Sequence, residues 1–199
     1  MAEFLYSADI WLLHFINSTL SNPAFDKFFP FITEVKNWYI AYIILFLILV
    51  FKGGRIGKIA SVLLILMIVA TDQFSSFFLK NLIARARPCN VLTDLNVLVN
   101  CTGSYSFPSS HAVNNFAAAM FLAKLFPKLK WPFFTVALLE AFSRPYVGVH
   151  YPSDVIGGTL IGLFFGYIFA FFVIKIDIFL LTVDQRSLIK MTWFRINRK

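Results

Sequence analysis

His150 and Asp154 stand four residues apart in Ser143-Arg144-Pro145-Tyr146-Val147-Gly148-Val149-His150-Tyr151-Pro152-Ser153-Asp154, a polar stretch between two long apolar segments. If a helix begins near Tyr151, this spacing lets the carboxylate reach back to one ring nitrogen. The other nitrogen is then free to attack or bind, with Arg144 nearby for a negative charge.

Two further clusters precede this stretch. Lys80 and Arg87 are seven residues apart, with Arg85 between them and Pro88 after, and Pro108-Ser109-Ser110-His111 opens the next apolar segment. A helix starting near Ser109 offers unpaired backbone N–H groups and the positive end of its dipole, a ready anion site. Lysine and arginine add charge-assisted hydrogen bonds to phosphate oxygens. A phosphate held there invites attack by His150, oriented by Asp154, to give a phosphohistidine. His111 would protonate the leaving oxygen and then activate water. The cations Lys80, Arg87 and Arg144 would stabilise charge on the transferring group, so the scheme requires neither metal nor cofactor. A metal site built from His111, His150 and Asp154 is allowed by ligand type, but the surrounding cations oppose it. Either histidine taken singly is more often structural; the chemical reading rests on the combination.

These residues need a frame. In 199 residues, 59% are hydrophobic and 14% charged, which excludes an ordinary soluble domain and points to an all-α, polytopic membrane helix bundle. Residues 1–199 read as one domain, with the motif-bearing core over 59–176 and a basic tail over 177–199. Five clear spans are expected, about Trp38–Phe51, Ile59–Ile83, Ala112–Phe126, Trp131–Phe142 and Val155–Ile176. Phe4–Leu20, interrupted by Ser7, Asp9, His14 and Asn17, would be a sixth helix that lies at the interface or packs on the bundle. Ser21–Asn37, with Pro23 and Pro30, reads as a break and a turn. Gly158, Gly162 and Gly166 suit close helix packing. Glu140, four before Arg144, is expected to support that arginine by an ion pair or hydrogen bond. Asp72 and Gln73 are expected to face the bundle.

Counting spans puts the 84–110 and 144–154 loops on one membrane face. The other face and the tail hold 12 of the 18 basic residues, Lys52, Arg55, Lys58, Lys124, Lys128, Lys130, Lys175, Arg186, Lys190, Arg195, Arg198 and Lys199. The positive-inside rule makes that face cytoplasmic and the polar loops non-cytoplasmic. The net charge of +8 therefore reports topology before any nucleic-acid partner, and none is expected. Trp193 and Phe194 among the tail cations suit a segment lying on anionic lipid. In this orientation Cys89 and Cys101 lie in a disulfide-permissive space, and a disulfide closing the short loop is predicted, with two free thiols as the alternative.

Taken together, Lys80 to Pro88, Pro108 to His111 and Ser143 to Asp154 resemble the three-part signature of the type 2 phosphatidic acid phosphatase superfamily, over about Ile59 to Ile176. The resemblance implies an integral-membrane, metal-independent phosphatase of a lipid phosphate or diphosphate, with about six helices. It implies Lys80, Arg87, Ser109, the Ser110 backbone and Arg144 as phosphate-binding groups, His111 as general acid, His150 as nucleophile and Asp154 as its orienting partner. Ser110 departs from the glycine more common in the family, and Arg85 falls outside the matched positions. Arg85 is either solvated or in contact with a second phosphate or a headgroup. Among substrates the resemblance leans to undecaprenyl diphosphate, with lipid A 1-phosphate, phosphatidylglycerol phosphate, phosphatidic acid and phosphoryl transfer to another lipid open. It implies a bacterial inner (cytoplasmic) membrane with the site facing the periplasm or cell exterior. A channel or transporter is the alternative of another class, and would thread charges through several spans to the cytoplasmic face.

Overall fold

The computed structural model describes the backbone of residues 2–196 and the side chains of residues 3, 4 and 6–183. Among these residues the chain is helical and holds no strand. Helix α1 covers Ala2–His14 and runs into a wider turn, Phe15–Thr19; α2 covers Phe25–Thr33 and α3 Tyr39–Lys52. Helix α4 covers Gly54–Asp72 and continues through a π-helical stretch, Gln73–Leu79, to a last turn at Lys80–Ile83. Helices α5 (Ser110–Leu125), α6 (Lys130–Tyr146) and α7 (Pro152–Ile196) complete the bundle.

Among the described residues three helical segments are long and apolar enough to cross a membrane, Val35–Lys52, Gly54–Val91 and Pro152–Val183. Helices α5 and α6 have 16 and 17 residues and fall short of that length. Helix α5 packs against α4, α6 and α7, and its Ala112, Val113, Ala117, Ala119, Phe121 and Leu122 are buried. A central helix meets protein on every side, so small residues serve it where lipid-facing helices need large apolar ones. The outer helices show the reverse pattern, with Ile40, Phe51, Leu160 and Phe164 exposed as a bilayer requires.

Helix α7 lies along α5 through its glycines. A Cβ at Gly158 would meet the carbonyl of Ser109, at Gly162 that of Val113, and at Gly166 that of Ala117, so the stripe is packing, as its spacing predicts. Helix α7 begins as expected near Tyr151 but runs as one helix to Ile196, past the expected end at Ile176. The tail side chains invoked for surface binding, Trp193 and Phe194 with Arg186, Lys190, Arg195, Arg198 and Lys199, lie outside the described residues.

Two expectations are corrected or sharpened. The stretch expected to be a turn contains α2, even with Pro30 inside it. Tertiary packing outweighs the lost hydrogen bond: Phe29 is buried with its ring centroid 4.4 Å from Tyr146 and 5.4 Å from Phe142, both on α6. Helix α1 packs on the polar-loop end of the bundle. Buried Asn17 donates to the carbonyls of Asn96 (2.8 Å) and Tyr146 (2.7 Å) and accepts from the Asn96 amide (2.8 Å), so every polar group it brings inside is used.

Candidate active site

Local backbone geometry explains how the site assembles. Helix α6 ends at Tyr146, and Gly148, at φ 81°, turns the chain so that the Val149 amide donates back to the Arg144 carbonyl. Only glycine takes this conformation without strain, and a side chain there would press on the Asn96 carbonyl, 3.1 Å from the position of its Cβ. The turn delivers His150 to the bundle interior, 2% exposed, immediately before α7. Across from it, α5 opens at Ser109, whose own amide donates to the Asp154 carbonyl at 3.1 Å. The first turn of α5 thus presents its free N–H groups beside the His150–Asp154 pair.

His150 Nδ1 lies 3.4 Å from Asp154 Oδ2, the relation read from their four-residue spacing. The other ring nitrogen, Nε2, stands 3.1 Å from Arg87 Nη1. With Nδ1–H donating to the carboxylate, Nε2 carries the lone pair and faces the cation. Burial holds the His150 imidazole far below the usual histidine range, at about 3, against the opposing effect of its hydrogen bond to Asp154. The ring is therefore neutral at physiological pH, and its Nε2 lone pair accepts a hydrogen bond from Arg87. Asp154 Oδ2 also accepts the Ser106 hydroxyl and the Tyr151 amide (2.9 Å), and Oδ1 accepts Arg85 Nη1 at 2.6 Å.

The expected cations converge. Arg87 is fixed by the Ser104 carbonyl (2.8 Å), the Ser104 hydroxyl (3.0 Å) and the Val149 carbonyl (3.0 Å). Lys80 is buried at the end of α4, within the electrostatic reach of Arg87, Arg144, Asp72 and Asp154. Arg144 Nη1 donates to Thr33 Oγ1 at 2.7 Å, and its Nε, like the buried Ser109 hydroxyl, has no protein partner. Buried donors of this kind are placed for an oxyanion. His111 Nε2 lies 3.1 Å from the Thr33 carbonyl, so that nitrogen carries the proton. Thr33 thereby touches both the expected general acid and an expected phosphate ligand.

The expectations for Glu140 and Arg85 meet the structure differently, whereas the predicted disulfide is present. Glu140 makes no hydrogen bond or close ion pair with Arg144 among the described residues: its Oε1 is buried without a hydrogen-bond partner while the guanidinium extends to Thr33 at the end of α2, and the carboxylate acts on Arg144 only at longer range. Ser110 turns its hydroxyl away from the cradle, to Ser76 (3.0 Å) and Ser75 (3.5 Å), and Ser76 donates on to Asp72 (3.1 Å). Any contact of Ser110 with phosphate is left to its backbone; its side chain ties α5 to the π-helical stretch ahead of Lys80. Arg85 is neither solvated nor free for a second phosphate, being bound to Asp154 and, at 2.6 Å, to Asp9 of α1. Cys89 and Cys101 are joined as a disulfide, with Cα atoms 6.1 Å apart. Thr33, Ser104 and Ser106 carry no signal in the sequence, and Asp9 reads there only as an interruption of an apolar segment, because single polar residues in loops or half-apolar segments have no informative spacing.

Comparison with known proteins places the chain in a family. Residues 61–176 match the PAP2 superfamily. The chain is 36% identical to a lipid A 4'-phosphatase of Bacteroides thetaiotaomicron over 88% of its own length and 81% of that protein. It is 30% identical to an undecaprenyl-diphosphatase of Sulfolobus acidocaldarius over 69% of its own length and 66% of that protein. Among solved structures it resembles Aquifex aeolicus LpxE, with a TM-score of 0.62 at 27% identity over 80% of this chain and 93% of that one. It also resembles a PAP2-type phosphatidylglycerolphosphate phosphatase from Bacillus subtilis, with a TM-score of 0.67 at 27% identity over 86% and 87% of the two chains. The chain belongs to the PAP2 superfamily, as a phosphoric ester or anhydride hydrolase acting on membrane lipids.

Proposed function

We propose that the chain hydrolyses a lipid phosphate through a covalent phosphohistidine at His150, without a metal. The observation that carries this reading is the placement of His150: Nδ1 toward Asp154 and a neutral, lone-pair-bearing Nε2 beside Arg87. In the first step the Nε2 lone pair attacks phosphorus and the bond to the lipid oxygen breaks. His111, which burial and the Arg144 charge hold neutral in the free protein, takes up a proton with the incoming phosphate and gives it to the lipid oxygen, exchanging the Thr33 carbonyl for the leaving group. Lys80, Arg87, Arg144 and the α5 amides hold the equatorial oxygens. In the second step His111 removes a proton from water, the water oxygen attacks phosphorus, and the P–N bond breaks to release inorganic phosphate and neutral His150.

The lipid we favour is a lipid A-type phosphomonoester, supported by identity to a lipid A 4'-phosphatase over 88% of the chain. This replaces the lean from the sequence to undecaprenyl diphosphate, which stays as a second reading because an undecaprenyl-diphosphatase is also similar. The site is assigned to the non-cytoplasmic face. The disulfide at its rim suits an oxidising compartment, and Lys52, Lys58, Lys124, Lys128, Lys130 and Lys175 lie toward the opposite end of the bundle.

The test is phosphate release by the purified protein in detergent, with chelator present, from lipid A, undecaprenyl diphosphate, phosphatidylglycerol phosphate and phosphatidic acid. The expected result is chelator-resistant release, fastest from lipid A, with a radiolabelled acid-labile phosphoenzyme that is absent from His150→Ala. Undiminished release by that variant overturns the mechanism. Faster release from undecaprenyl diphosphate reverses the substrate order.

A further inference from the structure

Arg85 lies two residues before Arg87, and the pair brackets the His150–Asp154 dyad. Arg87 stands at His150 Nε2, and Arg85 at the far oxygen of Asp154. The left-handed turn at Ala84, φ 49°, ends α4 and sends Arg85 into this position, where the Ser106 amide donates to its carbonyl at 2.8 Å. The guanidinium divides its fork. Nη1 donates to Asp154 Oδ1 (2.6 Å) and Ser153 Oγ (2.7 Å), Nη2 donates to Asp9 Oδ2 (2.6 Å), and the plane stacks 3.8 Å over the Tyr151 ring. Asp9 in turn accepts the Ser153 amide (2.9 Å) and hydroxyl (2.5 Å), so α1 grips the first turn of α7 directly as well as through Arg85.

We propose that Arg85, held by Asp9 of α1, is a positioning residue that fixes the rotation of the Asp154 carboxylate and so the aim of His150. Docking of α1 is then part of the catalytic apparatus. The carboxylate has two oxygens and several suitors. With Oδ1 held by Arg85, Oδ2 is committed to His150, Ser106 and the Tyr151 amide. Without Arg85, the buried Oδ1 is left unpaired and the carboxylate is free to turn toward Arg87 or Lys80, which removes the acceptor from Nδ1 and competes with phosphate for its cations. Arginine suits this place because a single planar fork reaches two carboxylates on different helices; a lysine ammonium reaches them only as a point charge. A lone surface ion pair would contribute little, but Asp154 is fully buried and Asp9 nearly so.

This inference rests on His150 and Asp154 acting as proposed above, and a double-mutant cycle separates the two. The readout is kcat and KM for phosphate release from the panel lipid that the wild type turns over fastest, with Tm in detergent as the check on folding. Arg85→Gln and Asp9→Asn are each expected to lower kcat by about tenfold or more with KM within about twofold, and Arg85→Gln added to Asp154→Asn to change kcat by less than about twofold. The proposal is overturned if Arg85→Gln leaves kcat unchanged, raises KM alone, or causes the same fold-loss in both backgrounds. If Arg85→Gln does not fold, Asp9→Asn runs the same cycle with the same outcomes. Failure of Asp154→Asn itself to lower kcat overturns the underlying reading of the site, whereas an intact Asp154 effect with a multiplicative Arg85 effect overturns only this one.

Discussion

The two nitrogens of His150 face opposite charges: Nδ1 is 3.4 Å from the Asp154 carboxylate and Nε2 is 3.1 Å from the Arg87 guanidinium. The arrangement selects one tautomer and aims its lone pair at the cation that would hold the phosphoryl oxygens. His150→Ala is therefore expected to abolish turnover. Asp154→Asn should keep the fold and lower kcat by about 10²- to 10⁴-fold, the range for a disturbed acid–base or nucleophile partner, with a smaller change in KM. Single-turnover kinetics with radiolabelled lipid check it; an Asp154→Asn variant that forms phosphohistidine at the wild-type rate would contradict this assignment.

The disulfide bears on the same cation. Cys89 follows Arg87 by two residues, and its bond to Cys101 closes a loop with a sequence separation of 12. By chain entropy such a loop contributes up to about 3 kcal/mol of stability. Treatment with a membrane-permeant reductant, or Cys89→Ser with Cys101→Ser, should lower Tm and raise KM more than it lowers kcat, because Arg87 and its anchor Ser104 both lie in or beside the loop. Differential scanning fluorimetry with and without reductant, alongside initial rates, measures both effects. Equal Tm and KM in the two conditions would mean that the loop is held by its other contacts.

Which parts of this were legible in the sequence follows from what carries a periodic or spacing signal. The spans were visible because apolar runs have a length set by the bilayer, and the three motifs because their residue types are costly to bury and recur at helical or turn spacing. Helix α2 was hidden by Pro30, since a local rule for breaks cannot see the α6 surface on which Phe29 packs. Arg85 was visible as a charge but not as a partner, because Asp9 is 76 residues away and sits in a segment that read as merely amphipathic. Glu140 misled for the complementary reason: four-residue spacing allows a pair with Arg144, but the arginine is drawn to Thr33, 111 residues distant in sequence. Long-range choices among several allowed partners are made by packing.

The packing of α7 on α5 yields a third prediction. A Cβ at Gly162 would collide with the backbone carbonyl of Val113 and approach the Ala117 amide to 2.9 Å, and neither can move without shifting α5. Since α5 carries Ser109 and His111, overpacking here acts on the site from a distance. Gly162→Val is expected to destabilise the protein by about 1–3 kcal/mol and to lower activity in proportion to the displaced helix start. Thermal unfolding in detergent together with kcat tests it. A variant with wild-type Tm would show that the helices part without cost.

Acid should destabilise the fold through His150. Its folded value of about 3 lies below the ordinary 6.5 of the unfolded chain, so between these values the unfolded state binds a proton that the native state excludes. Stability from this group is complete above pH 6.5 and falls as pH drops toward about 3, by at most about 1.4 kcal/mol per pH unit. Replacing the ring with an amide in His150→Gln removes the titration and should flatten the Tm-against-pH curve across that window, crossing the wild type at acid pH. The same burial places the protonation of His150 well below neutrality in the free enzyme, so an acid limb of kcat/KM near pH 5–6 must come from another group. Parallel Tm and kcat/KM profiles of wild type and variant decide the matter. Identical slopes in Tm from pH 6.5 to 4 would show that His150 is not the buried neutral ring on which the nucleophile assignment depends.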